Sequence, residues 1–225
     1  MTEAAATRIT PFGDSALLVT LGNEIEVETN ESVHNLVRVL RRRAAGDPRF
    51  GQPIPAYASV LVPFDLRLTS PDEVLEVVAG LVESPTIDHV EPAPPPRRHE
   101  LPTRYGGVDG PDLEEVAALH DLTPADVVDI HASVEYRVYY LGFAPGFAYL
   151  GQVPPAIATP RRSTPRAHVA AGSVAIGRDQ TGVYPFDTPA GWNVIGRTGV
   201  TLWNPDTDTP ALLAPGDTVR FVPSR

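Results

Sequence analysis

Four prolines fall within the six residues Glu91–Pro96, in the run EPAPPP. Proline has a fixed φ and no backbone N–H, so this run cannot continue a helix or lie in a central strand. It divides the 225-residue chain into two parts, each long enough to bury a core of its own. The expected division is a first domain over residues 1–90, a proline-rich linker over 91–96 and a second domain over 97–225.

The two parts are patterned differently. In the first, residues 8–22 read as a strand pair turned at Gly13-Asp14. Val33, Leu36, Val37 and Leu40 recur at helical spacing, which predicts a helix over 30–44 ended by Gly46-Asp47-Pro48. Tyr57–Val62 is a short buried strand, and Ser70-Pro71-Asp72-Glu73 opens a helix that runs to about Glu83. After the linker, His99–Pro102 reads as a strand and Tyr105-Gly106-Gly107 as a turn. Helices are expected over 111–120 and 124–132, begun by Pro111-Asp112 and Thr123-Pro124. From Tyr136 onward, short apolar runs alternate with Gly/Pro turns: 136–141, 173–176, 183–186, 192–195, 200–203, 211–213 and 218–222. Such a series without a helix predicts a barrel or sandwich. The fold class is α+β, a small mixed domain followed by a β-rich one.

Charge separates the parts as well. Residues 1–136 carry 10 Arg and 23 acids, whereas residues 137–225 carry 8 Arg and 5 Asp. With a net charge of −10, nucleic acid is not an expected partner. All 18 basic residues are arginine. Without lysine there is no Schiff base and no P-loop, so anions must be held by arginine or by backbone amides. Without cysteine there is no thiolate catalysis and no disulfide. The six histidines show no metal-binding pair, so no metal site is expected. No run approaches the ~20 apolar residues of a membrane span, and the N-terminal MTEAAATRITPFGD has no signal-peptide core. A cytoplasmic protein without a membrane partner is the expectation.

Three segments after residue 136 can carry chemistry. Gly142–Gly151 packs Phe143, Phe147 and Tyr149 among glycines, either as an apolar ligand wall or as a turn stapled into the core. Pro160–Arg166 sets Arg161, Arg162 and Arg166 between two prolines, either as forks for a carboxylate, carbamate or phosphate or as a solvated basic loop. Gln180, Thr181, Asn193 and Arg197 lie on or near strand ends beside Trp192, where they either read an amide edge or merely occupy barrel turns. His120 and His131 stand at helix C-termini, where the dipole favours protonation. A dyad of His168 and Ser173 lacks the GxSxG elbow. No residue stands out as catalytic.

The succession LGFAPGFAYLG (141–151), PRRSTPR (160–166), AGSVAIG (171–177), QTGVYP (180–185) and GWNVIGRT (191–198) resembles the allophanate hydrolase subunit 1 family. That family includes the B-type component of 5-oxoprolinase and the KipI-like sporulation histidine-kinase inhibitor. GDSALLV (13–19), PAYASVLVPFD (55–65) and LPTRYGG (101–107) extend the resemblance over nearly the whole chain. Ala190 stands where related sequences read glycine. The resemblance implies a small N-terminal α+β domain and a C-terminal cyclophilin-like β-barrel. It implies a partner C-type subunit and, in the 5-oxoprolinase system, an A-type subunit. It also implies an ATP-dependent opening of the 5-oxoproline lactam to glutamate, in which phosphorylation of the lactam oxygen makes a better electrophile. The chain shows no nucleotide motif, so ATP is expected to be bound by the complex and the chain to be inactive alone. Two other functions are expected as alternatives: a regulatory module that inhibits a sensor histidine kinase, and a component of urea or allophanate metabolism, as an amidohydrolase or a carboxyltransferase. An amidase of the serine–lysine type is impossible without lysine.

Overall fold

The computed structural model describes residues 7–84 and 95–224. The chain divides into two compact units, Met1–Pro94 and Pro95–Arg225. Of the expected proline-rich linker, residues 91–94 lie outside the described residues, and residues 95 and 96 have no regular structure.

The first unit begins with β1 (Arg8–Pro11) and β2 (Ala16–Thr20), an antiparallel pair in which Ile9 faces Val19. The helix α1 (Val27–Gly46) follows, longer at both ends than its apolar spacing predicts. Its buried stripe is Val33, Leu36, Val37 and Leu40. The strands β3 (Ile54–Pro55) and β4 (Ser59–Pro63) complete a four-stranded sheet in the order β1-β2-β4-β3. The helix α2 (Pro71–Val82) starts at a complete capping box: the Ser70 hydroxyl accepts from the Glu73 amide, and the Glu73 carboxylate accepts from the Ser70 amide. Period-2 alternation in β4 turns Val60 and Val62 inward against both helices' apolar stripes, including Val74 and Val78 of α2.

The second unit is a closed barrel of seven strands. They are β5 (Arg98–Tyr105), β6 (Glu135–Leu141), β7 (Ala148–Gln152), β9 (Ser173–Gly177), β10 (Gln180–Val183), β12 (Asn193–Thr198) and β13 (Thr218–Pro223). The order around the barrel is β10-β7-β6-β13-β5-β12-β9, and it closes where β9 pairs with β10. The pair β13–β5 is parallel and the other pairs are antiparallel. Pro102 fits within β5 because the ladder to β12 begins only at Thr103. A separate two-stranded ribbon joins β8 (Arg166–Val169) to β11 (Thr188–Ala190). The helices α3 (Leu113–Leu119) and α4 (Pro124–Ala132) add Leu113, Val116 and Val127 to a core formed with Leu101, Tyr136, Leu150, Ile176, Val219 and Phe221.

The predicted barrel is present, with its strands partly redistributed. The runs 200–203 and 211–213 form no strand and meet only through the Trp203–Ala211 bridge. The run predicted at 183–186 is displaced to 180–183, because Pro185 cannot donate to a ladder. The strands β7, β8 and β11 fall outside the predicted runs. Within β7, Gly151 is required where a Cβ would come within 2.9 Å of the Tyr139 ring.

Candidate functional site

The loop between β6 and β7 turns sharply, with the Gly142 amide donating to the Phe147 carbonyl and the Phe147 amide to that of Ala144. Phe143 adopts φ +66, a left-handed conformation that costs a residue with a Cβ roughly 1–3 kcal/mol. Its ring is 60% exposed and meets Phe147 edge-on at 5.4 Å. Phe147 is buried and in turn packs edge-on against Tyr149 at 5.0 Å and Trp192 at 5.7 Å, and tilted against Tyr184 at 5.4 Å. The Trp192 indole lies flat on the backbone of β9, where a Cβ on Gly177 would come within 2.6 Å of it. Of the two expectations for the aromatic segment, the turn stapled into the core is the one the ring contacts describe. Phe147 staples the turn into the core, and Phe143 stands at the rim.

These rings line one side of a cavity of about 220 Å³, whose other side is Arg161, Arg162, Pro165, Ala190 and Gly191. Burial pushes the Tyr184 phenol well above its ordinary value, so it stays protonated. Ala190 has no positive φ, so the family's glycine is not required by this ribbon. A second groove of about 500 Å³ lies on the far side of the 159–163 segment, between it and α3, with Glu115, Leu119, Thr159 and Asn193 along its walls. Arg161 and Arg162 border both.

The three arginines have different partners. Asp112 is buried, and its carboxylate takes both Arg166 guanidinium nitrogens at 2.6 Å, Arg162 at 2.7 Å and the Val194 amide at 2.7 Å. Arg162 also reaches Glu115 at 3.1 Å. Arg162 and Arg166 thus brace the barrel. Arg161 is exposed, with its guanidinium 5.7 Å from the Trp192 ring centroid.

The expected amide readers are not brought together. The Thr181 side chain is buried on β10, where its hydroxyl donates to the Ala175 carbonyl at 3.0 Å and therefore accepts from His131 Nε2 at 2.9 Å. That fixes the proton on Nε2, so His131 Nδ1 accepts from the Tyr105 hydroxyl at 2.8 Å. His131 is buried and burial lowers its pKa to about 3, which overturns the protonated state expected from the helix dipole. Gln180 is half-buried at the start of β10 and lines neither cavity. Arg197 donates from Nε to the Ala171 carbonyl at 2.9 Å and also lies outside both. Asn193 borders the larger groove with its amide engaged on the Pro160 and Ile176 carbonyls, at 2.8 and 3.3 Å. His168 pairs with Asp187 at 2.9 Å, and His120 with Thr159 at 3.1 Å.

Two contributors escape sequence reasoning. Tyr184 sits inside QTGVYP with nothing to single it out. Asp112 reads only as a helix start, yet its side chain makes no capping bond. Among the described residues no cluster of His, Asp and Glu is suited to a metal ion, and no helix is long and apolar enough to cross a membrane.

Residues 7–213 match the family described as carboxyltransferase domain, subdomain C and D. The chain is 42% identical over 229 residues to the 5-oxoprolinase B component of Bacillus subtilis (strain 168), covering 96% of this chain and 92% of that protein. Among solved structures it resembles TTHA0988, with a TM-score of 0.76 and 36% identity over 94% of this chain; it spans 40% of that longer chain. It also resembles the Kluyveromyces lactis urea carboxylase, with a TM-score of 0.80 over 97% of this chain and 22% of that one. At 19% identity that last likeness speaks for the fold alone.

Proposed function

The chain belongs to the family of 5-oxoprolinase B components, and from that premise we propose that it is the B component of a cytoplasmic, ATP-dependent 5-oxoprolinase. The reaction opens the lactam of 5-oxoproline to glutamate. Water adds to the ring carbonyl carbon, the ring carbon–nitrogen bond breaks, and the nitrogen takes a proton to become the amine of the same molecule, coupled to hydrolysis of ATP to ADP and phosphate. The observation that carries this reading is the match to the Bacillus subtilis protein along nearly the whole length of both chains.

The cavity suits a share of that work. Its aromatic wall gives a small flat ring an apolar face and excludes water from one side of it. The aromatic cavity, at about 220 Å³, is smaller than the sites usual for ligands of drug size, and the chain has no lysine-bearing phosphate-binding loop. In this reading ATP is bound by the complex rather than by a motif in this chain. The polar side chains lining the cavity are Tyr149, Tyr184, Arg161, Arg162 and the Trp192 indole, which include no carboxylate or imidazole to act as a base. In this reading the catalytic base comes from a C-type partner, with an A-type subunit in the same complex, while the contacts to the ring and its carboxylate lie on this chain. The test is ATP-dependent glutamate release from 5-oxoproline, with and without co-purified partners. Turnover is expected only with partners, and robust turnover by the isolated chain contradicts the reading.

A regulatory reading draws on Phe143, an exposed aromatic held in a strained conformation at a loop tip. It predicts that Phe143→Ala releases a bound sensor kinase and leaves glutamate release by the complex unchanged. The 5-oxoprolinase reading predicts that the same variant slows glutamate release.

A further inference from the structure

We infer that Arg161 is the anion-binding residue of the aromatic cavity, taking the carboxylate of a small ring that lies against the aromatic wall. That the ring is 5-oxoproline rests on the reading above; the site itself rests on the geometry.

Three observations converge on it. First, the charges on this loop are unequal. Arg162 and Arg166 are paired with Asp112 and Glu115, and no acidic side chain lines the aromatic cavity. This leaves one unbalanced positive charge, on Arg161, matched to one carboxylate. The larger groove on the other side of Arg161 has Glu115 on its wall and is closer to balanced.

Second, the Arg161 fork is available. A stack on an aromatic face uses the π system and leaves the five N–H donors of a guanidinium for a ligand. Its guanidinium carbon lies 5.7 Å from the Trp192 ring centroid, which places the head group on the aromatic side.

Third, the backbone on both sides of Arg161 is fixed. Thr159 exchanges hydrogen bonds with Arg178 at 3.0 and 2.6 Å, the Pro160 carbonyl accepts from Asn193 at 2.8 Å, and the Arg162 amide donates to Gly191 at 2.8 Å. Only the Arg161 side chain remains to be ordered when a ligand binds, which limits the entropy lost.

The test uses the full-length chain, with tryptophan fluorescence as the binding signal and far-UV circular dichroism as the folding control. The probes are 5-oxoproline, 2-pyrrolidinone (the same ring without a carboxylate), proline, benzoate and inorganic phosphate. Saturable binding of 5-oxoproline is expected, weakened at least tenfold in Arg161→Ala and not fully restored in Arg161→Lys, which lacks the planar fork. Binding of 2-pyrrolidinone is expected to be weak and equal in both proteins. Equal affinity of wild type and Arg161→Ala for 5-oxoproline overturns the inference. So does Arg161-dependent binding of phosphate tighter than any carboxylate, or binding of no carboxylate by the wild type. If proline or benzoate binds through Arg161 and 5-oxoproline does not, the site stands and the 5-oxoprolinase reading falls. If the assembled complex hydrolyses 5-oxoproline with an unchanged KM in Arg161→Ala, that reading stands and the site falls.

Discussion

The two units use their charged residues in opposite ways. In the first unit the carboxylates pair locally. Asp47 holds Arg49 at 2.8 Å and Asp65 holds Arg67, each two positions on, and both pairs shape surface turns. Hydrogen bonds from those arginines hold both carboxyl groups down to a pKa of about 2. In the barrel unit Arg104 still pairs locally with Asp109, but the two buried carboxylates, Asp112 and Asp217, gather partners from far along the chain. Asp112 takes Arg162 and Arg166 from 50 and 54 positions further on, and Asp217 takes Arg97 and His99 from 120 and 118 positions earlier. Burial alone would raise the pKa of Asp217, but hydrogen bonds from Arg97, His99 and Ala214 outweigh it and hold the carboxyl below its ordinary value. A local pair stabilises a turn that its own sequence already favours. A long-range pair decides which loops meet, and here it decides that the 159–166 segment lies along the aromatic cavity.

That contrast can be broken or sharpened by substitution. Asp112→Ala is expected to cost roughly 3 kcal/mol in urea unfolding, at the low end for a broken buried pair because both guanidinium groups keep about a quarter of their surface in water. Gly177→Ala should cost roughly 1–3 kcal/mol, since its new Cβ must displace the Trp192 indole, and it should close the cavity to ligands. His131 gives a pH signature. The unfolded chain binds a proton near pH 6.5, whereas the buried ring resists protonation until about pH 3. Stability should therefore fall as pH drops from about 6.5, by up to roughly 1.4 kcal/mol per pH unit from this group. His131→Gln, measured by thermal melts between pH 7 and 5, should flatten that slope. Asp65→Ala should leave the melting temperature unchanged, and a loss equal to that of Asp112→Ala would erase the distinction between the two units.

The sequence announces features fixed by neighbours and is silent on those fixed by distance. Ser70-Pro71-Asp72-Glu73 and Thr123-Pro124 mark helix starts because the capping partners lie within three residues. The barrel strands with β-branched or aromatic runs, such as Ser173–Gly177 and Thr218–Pro223, are legible for the same reason. The strand β7 is not, because its glycine answers to a ring on β6 rather than to its own neighbours. The arginine cluster is visible, but three identical residue types within six positions give no sign that Asp112 claims two of them. Thr181 and Asn193 look like ligand readers because a polar side chain on a strand end does not reveal whether its partner is a ligand or the barrel's own backbone. His131 looks like a cation because the helix dipole is local, whereas the burial that overrides it comes from distant strands, including a ring on β13.

The division of roles within the Arg161–Arg166 segment is tested most directly by the shift in melting temperature that saturating 5-oxoproline produces in the wild type, Arg161→Ala and Arg166→Ala. Arg161→Ala is predicted to melt with the wild type in the absence of ligand and to lose the ligand shift. Arg166→Ala is predicted to melt lower without ligand, because Asp112 loses two hydrogen bonds of 2.6 Å, and to keep most of the shift. An Arg161→Ala protein that retains the full shift, or an Arg166→Ala protein that loses the shift while melting with the wild type, would contradict it.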